Sequence, residues 1–418
     1  MKKRLLIFVL LLCSCLLFAL GATACEKPTE GLLYEVSADG TYAQVTAYEG
    51  TSKKIVIADT YNGLPVKSIK QELFRGNEEI TSVVIPDSVT EIGRFAFFNC
   101  GNLKKVSLGA GVASVGEYAF VRCKNLKGTV YGNAKYLGNG KNPYRLLLSA
   151  VNTERSSYKV HKKTKIIMEN AFAECSKMTS FTIPDSVAVI GRGALNACSS
   201  LEELTIPFIG EKLNAVRQYP LGHIFGYVKY EGAMEVMQYS YDTSTRRGDN
   251  KIYCIPNSLK KVVVTGGTVY ERAFENCSNL KSVRLPEGVT ELREGTFLGC
   301  SSLTDFIIPS GITAIGDRAF SGCCSLANLT IPEKVTTIGY LAFGNCSSLT
   351  EVVIPKAVVE LRGGVFMGCK NLTSLIFVDA KGWSFGGLMV SEKELSNSAT
   401  AAEYLTSLYI FNSKINKD

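Results

Sequence analysis

Nine cysteines keep one beat along this chain. Cys100 and Cys123 are 23 residues apart, as are Cys175 and Cys198, and Cys277, Cys300, Cys323, Cys346 and Cys369 continue the same step. Three places before them stand Phe97, Phe120, Phe172, Phe274, Phe297, Phe320, Phe343 and Phe366. Three places after them stand Leu103, Leu126, Leu201, Leu280, Leu303, Leu326, Leu349 and Leu372. An Ile-Pro or Leu-Pro pair opens most units, as at Ile85-Pro86, Leu285-Pro286 and Ile354-Pro355. A unit this small cannot bury its apolar residues alone, so a fixed short period implies a stack of units sharing one core.

The unit from Cys300 to Cys323 shows the expected path. Leu303-Thr-Asp-Phe306-Ile-Ile308 alternates apolar with mostly polar residues, a strand with one buried face. Pro309 cannot donate to a ladder and ends it. Ile312 and Ile315 dip into the core, Gly316 permits a tight turn, and the ring of Phe320 points inward before Cys323 closes the unit. Stacked units of this kind predict one long parallel strand ladder, with roughly ten clear turns spanning about 50 Å.

The run Cys323-Cys-Ser-Leu326-Ala-Asn-Leu329-Thr-Ile331-Pro332-Glu-Lys-Val335-Thr-Thr-Ile338-Gly339-Tyr-Leu-Ala342-Phe343-Gly-Asn-Cys346 resembles the BspA-like class of leucine-rich repeats, found in bacterial surface proteins. The resemblance implies an α/β-type leucine-rich-repeat solenoid with short turns or helices opposite the ladder. It also implies a cell-surface binding role.

The first residues look like an export signal. Lys2, Lys3 and Arg4 precede the apolar run Leu5 to Leu20, and Gly21-Ala22-Thr23-Ala24 stands before Cys25. The segment resembles a bacterial lipobox, which implies lipidation of Cys25; Ala22 stands where the family prefers Leu. Removing the leader's three cations from the 46 basic residues leaves 43 against 38 acidic ones, an excess of five. That excess is small and dispersed, and nucleic acid is not expected as a partner.

The expected organisation is a signal peptide at 1–24 and a tether with a cap hairpin at 25–50, the latter signalled by Asp39-Gly40 between Leu33–Val36 and Val45–Tyr48. Repeats are expected at 51–130, an irregular repeat with an insert at 131–160, repeats at 161–206, an insert at 207–252, repeats at 253–378 and a C-terminal cap at 379–418. Between Cys123 and Cys175 lie 52 residues, six more than two units; between Cys198 and Cys277 lie 79, ten more than three units. Tyr227 to Asn250 in the second gap shows little apolar periodicity and looks like a surface loop, one of two candidate contact sites. The tail, with Trp383, Tyr404 and Tyr409, is expected to fold over the last unit.

The ladder cysteines occupy a core phase and are expected as buried thiols rather than disulfides. No Cys-x-x-Cys and only two histidines, His161 and His223, argue against a metal, and no constellation supports catalysis, so neither an enzyme nor a cofactor is expected. Glu202 and Glu203, as strand neighbours, are expected to point to opposite faces. What remains is the ladder's open face, with Lys104, Ser107, Thr205, Val263, Thr304, Thr350 and Thr373 among its outward residues. The candidate binding residues are Lys260, Lys261, Lys281 and Arg284 as a basic zone, and Ile307, Val353 and Ile376 as an apolar strip. The expectation is an adhesin-like surface protein that binds extracellular proteins or cell-surface macromolecules and is held to the membrane by an N-terminal lipid or signal anchor. The alternative is a structural or scaffolding envelope lipoprotein without a host ligand.

Overall fold

The computed structural model of the chain describes residues 27–213, 215, 217–381, 383–385, 388–389, 392–407 and 414–417. The fold is a parallel-strand leucine-rich-repeat solenoid of about 14 turns, with about 23 residues per turn and almost no helix. Two compact units divide it: one runs to Val112 and includes Ala119–Lys127, the other comprises Ala113–Tyr118 and everything from Gly128 onward.

The alternating Leu-x-x-Val-x-Ile segment forms the first ladder. In the first unit Lys54 aligns with Ser82, and Ser82 with Lys105. In the second unit Ser180, Glu203, Lys261, Ser282 and Asp305 align in turn, and Glu351 aligns with Ser374. The apolar positions between them, such as Leu204, Val262 and Val283, are fully buried. The expectation of one ladder needs correction, because the regular turns carry a second one. The dips at Ile312 and Ile315 belong to it: Glu291–Leu292, Ala314–Ile315, Thr337–Ile338 and Glu360–Arg362 pair in parallel. Threonine hydroxyls brace this side, with Thr313 donating to the Thr290 carbonyl at 3.1 Å and Thr336 to that of Thr313 at 3.2 Å. The Ala-Phe corner is bonded between turns as well, since the Phe297 amide donates to Ala319 at 2.8 Å and the Phe320 amide to Ala342 at 2.7 Å. The backbone therefore spends its polar groups between turns on every side.

The core is a file of rings. In the second unit Phe274, Phe297, Phe320, Phe343 and Phe366 stack at centroid spacings of 5.2, 5.4, 5.4 and 5.5 Å, with planes within 15°. Phe74, Phe97 and Phe120 repeat the arrangement in the first unit at 5.2 Å. The cysteines serve this corner. Seven thiols donate to the carbonyl of the phenylalanine in the preceding turn, as Cys300 does to Phe274 at 3.1 Å, Cys323 to Phe297 at 3.3 Å and Cys346 to Phe320 at 3.1 Å. Cysteine is small enough for the corner and supplies a weak donor where a carbonyl would otherwise lie bare. All eleven described cysteines are unpaired, and Cys324 is the exposed one. Burial pushes the Cys277 thiol up to about 12.

Gly316 has a different reason from the turn expected of it. Its φ is not positive; instead a Cβ there would lie 2.8 Å from the carbonyl carbon of Arg293 in the turn below. Close approach of two backbones demands glycine at this phase. The left-handed conformation falls two residues later, at Arg318 and Leu341, with φ of 55° and 51°.

Both ends differ from the repeats. Leu32–Val36 and Ala43–Tyr48 form an antiparallel hairpin, and its second strand starts the second ladder by pairing in parallel with Leu64–Ile69. At the far end Lys414–Lys417 pairs antiparallel with Glu360–Arg362, and the helix Ser398–Ser407 packs on the strand Ser374–Phe377. Both devices cover ladder edges that would otherwise be templates for another chain. Trp383 is fully buried, edge-on to Phe377 at 5.2 Å. The signal peptide, Cys25 and Tyr409 lie outside the described residues, as does the side chain of Tyr404. Among the described residues no helix is long and apolar enough to cross a membrane.

Candidate functional site

The outward side of the first ladder in the second unit consists of three rows. Lys281 donates its amide to the Lys260 carbonyl and Thr304 to that of Lys281, so Lys260 and Lys281 belong to a row just ahead of the strands. The next row is Glu203, Lys261, Ser282 and Asp305; the third is Thr205, Val263 and Arg284, followed one repeat later by Ile307. The strand begins at Glu203, not Glu202, so these two carboxylates do not point to opposite faces as expected; both are exposed on successive outward rows.

Two of the four cations of the basic zone, Arg284 and Lys261, are neutralised by carboxylates of the adjacent turns. Arg284 pairs with Asp305 at 2.7 Å and Lys261 with Glu203 at 3.5 Å, while the Lys260 ammonium donates to the Asn257 carbonyl at 2.8 Å. The Arg284 guanidinium, helped by the Ser282 hydroxyl, holds the Asp305 carboxyl below its usual range. These pairs are solvent-exposed and each is worth at most about 1 kcal/mol. They nonetheless fix side-chain positions, and the face presents alternating charge there rather than a cationic field.

The apolar strip is open. Ile307 is 67% exposed, Val353 41% and Ile376 39%, and the exposed Thr330 takes the same place in the intervening repeat. Val353 and Ile376 are directly paired. Val353 and Ile376 stand on ladder strands beside the fully buried Val352 and Leu375, whereas Ile307 and Thr330 lie outside strands between buried neighbours.

The second insert is not the surface loop expected for Tyr227 to Asn250. Ala233–Asp242 and Arg247–Pro256 pair as a ten-residue antiparallel hairpin. Its inner side is core: Val236, Gln238, Tyr253 and Ile255 are buried. Gln238 accepts from the Gly222 amide at 2.9 Å and donates to the Glu275 carbonyl at 2.6 Å, which ties the hairpin to the repeats. Because Glu203 aligns directly with Lys261, 58 residues form one long turn instead of the regular units counted from the cysteine gap. The short 3₁₀ turn Leu221–Ile224 replaces an Ala-Phe corner there, accepting from the amides of Gly193 and Leu195.

Beside that turn lies a polar cleft of about 190 Å³, lined by residues that include Glu117, Glu169, Arg192, Tyr219, His223, Tyr227 and Lys251. Arg192 pairs with Glu117 at 2.9 Å and lies 5.1 Å from the Tyr227 ring centroid. His223 is buried, has no hydrogen-bond partner on either ring nitrogen and leans on Tyr219 at 4.4 Å. Burial, with the Arg192 charge added and the Ile190 backbone opposing, pushes its imidazole down to about 3. Nothing in the sequence distinguished this histidine from a solvated one. Among the described residues no cluster of acidic, histidine and cysteine side chains could hold a metal ion.

The chain is similar to several solved proteins. A leucine-rich cell surface protein from Faecalibacterium prausnitzii shares 23% identity over 89% of this chain and 97% of its own, with a TM-score of 0.30. A leucine-rich repeat protein from Bacteroides ovatus shares 21% over 85% of this chain and 100% of its own, also with a TM-score of 0.30. The T. pallidum leucine-rich repeat protein shares 19% over 72% of this chain and 91% of its own, with a TM-score of 0.29. These likenesses carry no inference by themselves. No curated protein matches significantly. The BspA type leucine rich repeat region does match, in six copies over residues 48–140, 151–219 and 255–380. With well over half of its length accounted for in this way, the chain belongs to the BspA-type leucine-rich-repeat family.

Proposed function

We propose that this chain is an exported, adhesin-like binding protein whose first-ladder face in the second unit contacts extracellular proteins. The carrying observation is the row Ile307, Thr330, Val353 and Ile376 at repeat spacing, three of them apolar and exposed while their chain neighbours are buried in the core. Surface apolar residues scattered singly need no explanation, but a row at repeat spacing on a pre-organised face suits an extended protein partner. The paired charges at Lys261, Arg284 and Asp305, with Lys281 and Lys260 beside them, give that row a polar rim. The proposal is tested by titrating mature protein onto coats of extracellular-matrix proteins and onto cells. Saturable binding is expected; its absence, with concentration-dependent oligomers that survive high salt, would favour a scaffolding role instead.

The apolar leader and the small residues before Cys25 support export with a lipid on that sulfur. Cys25→Ala is expected to abolish fatty-acid labelling and release the protein to the medium. Labelling that persists in the variant would refute lipidation at this residue.

A further inference from the structure

The chain's excess charge is not dispersed. Residues 128–165 hold eight basic residues and one acid, Glu154, a net of +7 within a chain whose formal total is +8. The one acid is occupied, pairing with Lys177 at 2.8 Å. This segment is the irregular repeat, where Thr129–Tyr131, Ala134–Leu137 and Leu146–Ala150 form an antiparallel meander.

At its centre is a knot of rings. The Tyr144 and His161 rings stack at 3.7 Å, and Tyr131 meets both edge-on, at 5.9 and 4.9 Å. The knot is built from below, because the buried Tyr136 hydroxyl accepts from the His161 amide at 3.2 Å and donates to the Lys159 carbonyl at 3.3 Å. Four exposed lysines, Lys141, Lys159, Lys162 and Lys163, lie on the segments that carry it. The Lys159 amide donates to the Gly132 carbonyl at 3.0 Å, next to Tyr131. Asn142 donates to the Lys163 carbonyl at 3.0 Å, which brings Lys141 and Lys163 to the same side. The charges of Lys162 and Lys163 both act on the His161 imidazole, holding its pKa down together with burial, its leading cause. All four lysines are exposed, and none takes part in any ion pair described here.

We infer that Lys141, Lys159, Lys162 and Lys163, set around the Tyr131–Tyr144–His161 knot, form a binding site for an anionic polysaccharide. Lysine ammoniums are mobile point charges that suit carboxylates or sulfates along a polymer, whereas reading bases calls for a planar arginine fork. The rings are packed against one another, so no gap of base thickness is open between Tyr144 and His161. A membrane surface would call for apolar side chains among the lysines. The exposed Val130 alternates with Tyr131 on one strand and is turned away from its side, and the exposed Val151 lies beyond the end of the strand Leu146–Ala150. The choice of an extracellular polymer as ligand rests on the export proposed above.

The test is equilibrium binding of mature full-length protein to heparin and to polygalacturonate at about 0.15 M salt, where contacts beyond the Debye length are screened. Saturable binding to at least one is expected, weakened at least tenfold in the quadruple variant Lys141→Gln, Lys159→Gln, Lys162→Gln, Lys163→Gln. A control removing the same charge elsewhere, at Lys104, Lys105, Lys334 and Lys356, is expected to stay within twofold of the parent. All eight positions are exposed, so melting temperatures should not move. No saturable binding, or equal losses in the two variants, would overturn the site. Tighter binding to single-stranded DNA or to phosphatidylglycerol vesicles than to either polysaccharide would overturn the ligand class.

Discussion

Phe320→Ala is expected to cost about 3–5 kcal/mol of stability, the range for deleting a buried aromatic ring. The ring is wholly buried and lies between Phe297 and Phe343, 5.4 Å from each. Truncation therefore removes its own burial and both stacking contacts, each worth up to about 1.5 kcal/mol beyond area. The ring stack is one of the contacts that hold neighbouring turns to one another, so the loss is also one of coupling between repeats. Chemical denaturation should show an earlier midpoint and a broader or split transition. A loss below about 1 kcal/mol would mean that the ring does not occupy the core.

The second large effect concerns His223. Its folded-state value of about 3 lies below the free value of 6.5, so the fold holds the neutral imidazole. Above pH 6.5 both states are neutral and the residue makes no difference. As pH falls through 6.5 the unfolded chain takes up a proton that the folded chain refuses. Stability then drops by about 1.4 kcal/mol per pH unit, and the decline ends near pH 3. His223→Leu removes this dependence. The stability difference between parent and variant should shift by about 3 kcal/mol between pH 7 and pH 4. A difference that stays constant over that range would show that His223 is solvated or paired.

The parts of this molecule legible in sequence are those where chemistry and period coincide. The first ladder could be found because apolar residues such as Leu201, Leu204 and Ile206 alternate with polar ones into four-residue strands such as Glu203–Ile206. The second could not, since strands such as Ala314–Ile315 contain two residues and display no alternation. The hairpin at Ala233–Pro256 was hidden for a related reason. Two of its inward positions, Gln238 and Ser240, are polar, so the apolar rhythm is broken where the strand is most buried. Gln238 is admissible there only because Gly222 and Glu275 satisfy its amide, and such partners are set by the fold. On the candidate face the apolar strip could be read directly, whereas the neutralisation of Arg284 and Lys261 required the register. Asp305 and Glu203 reach those cations only once adjacent turns are aligned.

That register also decides how the binding face should be probed. Deleting residues 227–250 would tear out buried Val236 and Gln238 and confound folding with binding. Substituting exposed side chains avoids this. The most direct measurement is the affinity of the triple variant Ile307→Glu, Val353→Glu, Ile376→Glu for the extracellular-matrix coat that the parent binds, with melting temperature as a check on folding. A loss of at least tenfold, about 1.4 kcal/mol or more, at unchanged melting temperature is the expected result. Unaltered affinity in the folded variant would contradict the assignment of the first-ladder face as the binding surface.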